Sequence, residues 1–333
     1  MVWERFWLLA LMSTVVLGTL WLLTPSPSPP RRPMLEEATQ SQQLLQVSNA
    51  VTIVTGFWNP DHMPVRKRTN KEYKEWIHNM LANLQTPMVI YCDKEFAPLA
   101  HAQTRHSKQV SVVVRPITSF YVWMKYGPNI TLLNAMNREK NIYSPEYSMV
   151  MHEKMAMVRQ TQLENPFSSS IFLWVDIGID RRGFFASHPT WPTNLMPFVG
   201  DRFLMNNVDG NVNPSSCPSG ATWPEEYIHK IAQAFGPPSI SIGGGIWGGT
   251  AKAIERVESV YYFMLEAFIR QNTSTQDQSI LAAVACTDYD SFFGHEPFVQ
   301  AVIPRGGTTL WHHIQHLMLG NPDVWFFLLD YLK

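Results

Sequence analysis

The sequence predicts an α/β domain on a mainly parallel central sheet flanked by helices, preceded by a transmembrane helix and a stem. Three observations lead there. From Val51 onward, short β-branched runs alternate with segments of helical periodicity, the pattern of strands joined by crossover helices. Gly56, Asp93 and Asp176 stand directly after such runs, at the strand ends where open α/β sheets collect their ligands. Phe6 to Leu23 carries no charged residue.

The apolar run would span roughly 27 Å as a helix, close to the ~30 Å of a bilayer core. Trp7 and Trp21 sit near its ends, where indole rings favour the headgroup level. It exceeds the ~7–15 apolar residues of a cleaved signal peptide, and Thr24-Pro25-Ser26-Pro27 is no small-residue cleavage site. Residues 1–23 therefore read as a cytoplasmic tip and anchor. Residues 24–50 are rich in Pro, Ser and Gln and read as an extended stem. Residues 51–333 are the domain. This is the layout of a single-pass type II membrane protein. In a eukaryote its domain would face the Golgi or ER lumen, and Asn129-Ile130-Thr131 and Asn272-Thr273-Ser274 would be glycosylation acceptors there. Unmodified polar turns are the alternative for both.

Ala50 to Thr55 is β-branched and ends at Gly56, a buried strand. Thr69-Asn70-Lys71-Glu72 is a capping box, and Tyr73, Trp76, Ile77, Met80, Leu81 and Leu84 then recur at helical spacing. A helix over about 70–84 follows. Met88 to Cys92 and Val110 to Val114 are the next strands. Ser144-Pro145 opens a helix with Pro at its first position, and Asn165-Pro166 closes it. Ile171 to Val175 is the most hydrophobic strand. Phe203 to Met205 reads as a short strand, 206–220 as a loop, and Ser239 to Ile242 as a strand entering the glycine-rich Gly243 to Gly249. One helix then carries Ile254, Val257, Tyr261, Met264, Leu265 and Phe268. Another starts near Asp277 with Ile280, Leu281 and Val284.

Composition excludes several classes. Lys+Arg 26 against Asp+Glu 27 leaves no basic excess, so no nucleic-acid partner is expected. Three scattered cysteines form neither a zinc module nor a disulfide scaffold, though one disulfide is possible. Gly243, Gly245 and Gly248 satisfy G-x-G-x-x-G, but too late in the chain for a first βαβ unit, which argues against a dinucleotide cofactor.

Four places can carry chemistry. Asp176 leaves the central strand directly, and a buried strand-end carboxylate is costly without a partner. A divalent ion, Mn²⁺ or Mg²⁺, is one such partner and would bridge to phosphates; Asp180 would be a second ligand, and a turn cap is the alternative for Asp176. In the second place, Gly243, Gly244 and Gly245 suit close backbone approach of a ligand, with Trp247 as one wall, or else a tight packing loop. In the third, Asp277, beside Gln278, caps a helix or acts as a base toward an acceptor hydroxyl. In the fourth, Trp311 to His316 holds His312, a candidate metal ligand or a solvated helix position.

Thr52 to Asn59, Tyr73 and Trp76, Phe172 to Gly178, and Gly243 to Gly249 together resemble the HtrL/YibB family of glycosyltransferases, over roughly residues 51 to 315. More widely they resemble nucleotide-sugar transferases of the GT-A fold, which is Rossmann-related. The resemblance implies a donor held by Thr55, Gly56 and Phe57 after the first strand, and a metal at Asp176. Gly178 stands where that fold places a second Asp. It further implies acceptor and donor-sugar contacts from the glycine-rich segment, Asp277 and Gln278. Lys154, on the helix before the metal strand, would add charge for the phosphates, or is a solvated helix lysine. The implied activity is sugar transfer from a nucleotide-sugar to a glycan or glycoconjugate acceptor. The alternative is a membrane-anchored sugar- or nucleotide-binding protein without catalysis.

Overall fold

The computed structural model describes residues 51–58, 70–106, 109–136, 144–192, 202–207, 217, 225–235, 242–273, 276–289 and 299–302. The anchor, the stem, Thr69 of the capping box and His312 lie outside them. Among the described residues no helix is long and apolar enough to cross a membrane.

The strands are β1 (Val51–Phe57), β2 (Met88–Cys92), β3 (Val110–Val114), β4 (Ile171–Val175), β5 (Phe203–Asn207), β6 (Ile242–Thr250) and β7 (Val299–Val302). The helices are α1 (Asn70–Asn83), α2 (Ala97–Thr104), α3 (Tyr121–Met136), α4 (Pro145–Glu164), α5 (Phe184–Ser187), α6 (Glu225–Phe235), α7 (Ala251–Arg270) and α8 (Asp277–Tyr289). The strands form one sheet in the order β3-β2-β1-β4-β6-β5-β7. β3, β2, β1 and β4 run parallel, β6 is antiparallel to both β4 and β5, and β7 is parallel to β5. The expected mainly parallel sheet is thus parallel on one side and mixed on the other.

Alternation along the strands builds two cores. Ile53, Ile90, Leu173 and Val175 face α1, α2 and α5. Val54, Tyr91, Phe172 and Trp174 face α3, α4, α6, α7 and α8. Strands buried on both faces read as continuous apolar runs rather than alternating ones. Each fully buried Ile, Leu or Val contributes about 1.5–3 kcal/mol by leaving water.

Local chemistry sets the element ends. The Ser144 hydroxyl accepts from Tyr147 N at 3.2 Å, with Pro145 at the first helical position of α4. Asn165 ends α4 in the left-handed region at φ 38°, and its side-chain amide bonds both N and O of Ser169. That clamp turns the chain into β4. A disulfide joins Cys217 to Cys286 on α8, leaving Cys92 as the free thiol.

The largest departure from expectation is the glycine-rich segment. It is not a loop but β6, buried through Gly249 between β4 and β5. Glycine is required because neighbouring backbone comes too near for a side chain. A Cβ on Gly248 would lie 2.1 Å from Phe172 O, and on Gly249 2.8 Å from Arg202 O. Gly248 also has φ +154°, a region L-residues rarely adopt. Trp247 is correspondingly a core residue, 1% exposed and stacked on Trp174 and Phe203 at 6.2 and 5.6 Å, and not a ligand wall.

Candidate functional site

The carboxyl ends of β1, β2, β3 and β4 and the amino end of β6 share one edge of the sheet. β1 and β4 are neighbours, and the chain leaves β1 toward β2 on one side and leaves β4 toward β5 on the other. That is the topological switch point at which open α/β sheets form a crevice.

Asp176 is the first residue past β4. Its N–H donates to Gly245 O at 2.8 Å, which anchors the backbone to β6. Its Oδ1 accepts from Trp174 Nε1 at 2.7 Å and pairs with Lys154 Nζ at 3.0 Å. One oxygen is fixed and the other, Oδ2, has no described donor; the side chain is 43% exposed.

Lys154 comes from α4, on the α3–α4–α7 side of the sheet. Its ammonium binds Asp277 Oδ2 at 2.9 Å, Asp176 Oδ1 at 3.0 Å and Gly244 O at 3.2 Å, which uses all three donors. Its Nζ also lies 5.4 Å from the centroid of the Trp174 ring. Burial works against the charged form, but Asp176 and Asp277 together outweigh it and raise the Lys154 pKa. With one lysine between two carboxylates, the cluster carries a formal charge of −1 when all three are ionised.

Gly244 and Gly245 make this arrangement possible. The register of β5 on β6 jumps from Met205–Trp247 to Asn206–Gly243, and β4 pairs only as far as Ile246. Gly244 and Gly245 therefore lie outside both ladders, and their carbonyls are available to Lys154 and Asp176. A Cβ on Gly244 would sit 2.6 Å from Asp277 Oδ2, so the Lys154–Asp277 pair occupies the space a side chain would fill. These glycines support the carboxylates instead of wrapping a ligand. Gly243 is a paired strand residue opposite Asn206.

The other expected residues fall in different places. Asp180 is not available as a second metal ligand. It is 1% exposed, and its Oδ1 and Oδ2 accept from Phe184 N and Phe185 N at 2.6 and 3.0 Å, capping α5. Asp277 opens α8 as expected, but it is 1% exposed and held by Lys154, so it cannot meet an acceptor hydroxyl as a general base. Burial raises its pKa, while Lys154 works in the opposite direction. The Gln278 N–H donates to Asp277 Oδ1 at 2.9 Å; the Gln278 side chain is half-buried. Thr55 is fully buried, with no described partner for its hydroxyl. A Cβ on Gly56 would meet the Trp58 ring at 2.7 Å, so that glycine serves packing. Of the three donor candidates on β1, Phe57 presents a half-buried aromatic ring.

The sequence reading missed Trp174. Strand alternation marks it as buried, and only its spacing of two residues before Asp176 hints that its indole N–H reaches the carboxylate. No cluster of three or more His, Cys, Asp or Glu side chains that could hold a metal occurs among the described residues. A part-exposed carboxylate such as Asp176 still suits Mg²⁺ or Mn²⁺, which bind through one or two carboxylates with substrate phosphates supplying further ligands.

No protein-family model and no curated protein matches the chain. Among solved structures it is similar to mouse xyloside xylosyltransferase 1 in the apo form, at 9% identity and a TM-score of 0.40, over 76% of this chain and 84% of that one. It is also similar to core-mannan synthase A from Aspergillus fumigatus in the Mn/GDP form, at 10% identity and a TM-score of 0.42, over 83% of this chain and 74% of that one.

Proposed function

We propose that this protein is a glycosyltransferase of the HtrL/YibB type, held in a membrane by its N-terminal helix. It moves a sugar from a nucleotide-sugar donor to a glycan or glycoconjugate acceptor. The observation that carries the reading is Asp176: one oxygen is fixed by Trp174 and Lys154, and the side chain, 43% exposed at the strand-end switch point, has no described donor on its other oxygen. A carboxylate so held is prepared for a cationic or hydroxylic ligand without needing to reorganise.

In this reading Asp176 would hold a divalent ion, Mn²⁺ or Mg²⁺, which when bound would supply Lewis-acid neutralisation of the departing diphosphate. The sugar C1–O bond to the diphosphate breaks, with the bonding pair leaving on the diphosphate; C1 bonds to the acceptor oxygen, and the acceptor's hydroxyl proton passes to the departing phosphate oxygen or to water. Lys154 locks Asp176 in one rotamer and keeps the cluster's charge low enough for an anionic donor to approach. Asp277 holds Lys154 in turn and is a positioning residue. The disulfide fits an oxidising compartment, in keeping with a lumen-facing domain.

Asp180 spent on α5, with Gly178 at the position of a second carboxylate, favours a second reading: a nucleotide- or sugar-binding protein without catalysis. The test is a thermal-shift screen against nucleotide-sugars with and without Mn²⁺, followed by assay of donor hydrolysis and transfer. Mn²⁺-dependent stabilisation with turnover supports the transferase. Stabilisation without turnover supports the binding protein. No response to any nucleotide-sugar refutes both.

A further inference from the structure

The sheet ends on one side at β3. Met88 N donates to Gln109 O at 2.9 Å, and Arg115 N donates to Cys92 O at 2.8 Å. In an extended strand the N–H and C=O of one residue point to one side and those of the next residue to the other. Gln109, Ser111, Val113 and Arg115 therefore address β2, while Val110, Val112 and Val114 turn both backbone groups away from the sheet. Among the described residues nothing bonds those outward groups.

An open strand edge is a template for pairing, and proteins that keep an edge free blunt it with a charge, a proline or a bulge. β3 reads Val-Ser-Val-Val-Val and pairs with β2 without a register shift, so it carries none of the three. Its residues are half-buried except Val114, which is 50% exposed. Arg115, the first charge past the strand, is turned inward: its guanidinium binds Glu153, Gln160 Oε1 and Ser119 O.

The spacing of the outward groups identifies what fits this edge. A two-fold axis through Val112, perpendicular to the sheet, brings a second β3 alongside in the antiparallel sense. Val112 then faces Val112 of the second copy, and Val110 faces Val114. Each facing pair exchanges both N–H···O bonds, so no outward group of the strand is left over. The same register sets Gln109 opposite Arg115, so no like charges meet there. It also lays Val110 of one copy beside the exposed Val114 of the other. An edge that complements itself in this way is what an isologous two-fold contact requires.

We propose that β3 is the contact between two copies of this chain, joined edge to edge into one continuous sheet with the two strands antiparallel and centred on Val112.

The test is the mass of the full chain in detergent, by sedimentation equilibrium, for the parent and for Val112→Pro, with cysteine cross-linking alongside. Proline is accepted in an edge strand where its missing N–H faces outward. Val112→Pro is therefore expected to keep the parent's unfolding midpoint within a few degrees and to shift the mass from two copies to one. Val112→Cys is expected to close a disulfide between copies on oxidation, since facing residues of a bonded antiparallel pair have Cα atoms about 5.5 Å apart. Val110→Cys alone is expected not to link, because four residues, about 13 Å along the strand, separate it from its counterpart. Mixing it with Val114→Cys chains is expected to restore the link. A parent of single-copy mass overturns the proposal. So does a pair that survives Val112→Pro, which puts the contact elsewhere. If Val112→Pro unfolds, the cysteine pattern decides: linking at Val112 and none at Val110 upholds the register, and the reverse refutes it.

Discussion

Lys154 and Asp277 lie 123 residues apart in the chain, yet their charged groups are 2.9 Å apart in a buried pair. The contact ties α4 to the start of α8 across the glycines of β6, and it aims Asp176 through the same ammonium.

The first prediction concerns that pair. Lys154→Met leaves the buried Asp277 carboxylate without its cation and should destabilise by about 3–5 kcal/mol, the usual scale when one partner of a buried ion pair is removed. Asp277→Asn in the same background should recover part of the loss. The check is a double-mutant cycle by chemical denaturation. Additive effects, with coupling below about 0.5 kcal/mol, would show that the pair carries no stability.

Asp176→Asn keeps the shape of the side chain and removes its charge. Because Asp176 is 43% exposed, stability should change by less than about 1 kcal/mol. Mn²⁺-dependent donor binding should fall by at least about tenfold. Trp174→Phe, which removes the indole donor to Oδ1 and keeps a ring in the core, should move binding in the same direction by less. Titration calorimetry with Mn²⁺ and a nucleoside diphosphate reads both, and unchanged binding in Asp176→Asn removes the metal assignment.

Gly244→Ala introduces a methyl group 2.6 Å from Asp277 Oδ2. Either the carboxylate or β6 must shift, and the overpacking should cost about 1–3 kcal/mol. Donor binding should weaken beyond what stability explains, since Lys154 also binds the Gly244 carbonyl. A fully stable and active Gly244→Ala protein contradicts the packing described for this strand.

Glu153, next to Lys154 in sequence, faces away from the site. It accepts from the first N–H groups of α3, Tyr121 and Val122, and pairs with Arg115 at 3.2 Å. Burial raises its pKa from 4.5 to about 6, against the lowering effect of those three partners. The folded chain therefore binds this proton more tightly than the unfolded chain. The stability from protonation is complete below pH 4.5 and is lost as pH rises through about 6. That change is about 2 kcal/mol. The stability of the parent minus that of Glu153→Gln should fall by roughly this amount across the window; a flat or rising difference opposes it.

The disulfide closes a loop with a sequence separation of 69. Chain entropy gives it about 4 kcal/mol at most. Cys217→Ala with Cys286→Ala should lower the midpoint of thermal unfolding, and reducing agent should do the same to the parent and nothing further to the variant.

Much of the sheet is legible in the sequence because its inner strands are buried on both faces. Met88–Cys92 and Ile171–Val175 carry their β-branched and aromatic signal residue by residue, and the half-buried edge strand Val110–Val114 is read from its valines. β6 is not legible, because a strand made largely of glycine has no side-chain pattern to read. Its identity depends on the backbones of Phe172 and Arg202, which come from elsewhere in the chain. α3 is hidden for the opposite reason: Gly127 and Pro128 are breakers by type but are tolerated inside a helix packed on α4. At the site, the strand-end place of Asp176 is readable from position, but Lys154, expected to meet phosphates or solvent, is buried with its three donors used inside the cluster. The burial of Asp277 and the diversion of Asp180 to α5 are not readable either, since spacing alone does not distinguish an exposed helix start from a buried one.

The antiparallel insertion of β6 has a consequence for synthesis. β4 finishes at Val175, but the strand that covers its open edge begins only at Ile242. At about 5–20 residues per second, the ribosome needs roughly 3–13 s to make the intervening chain. For that interval the most hydrophobic strand of the protein presents unpaired backbone groups, a template for association with other chains. Nascent chains stopped between these two strands should therefore be the aggregation-prone and chaperone-bound ones, and release past Thr250 should end that dependence.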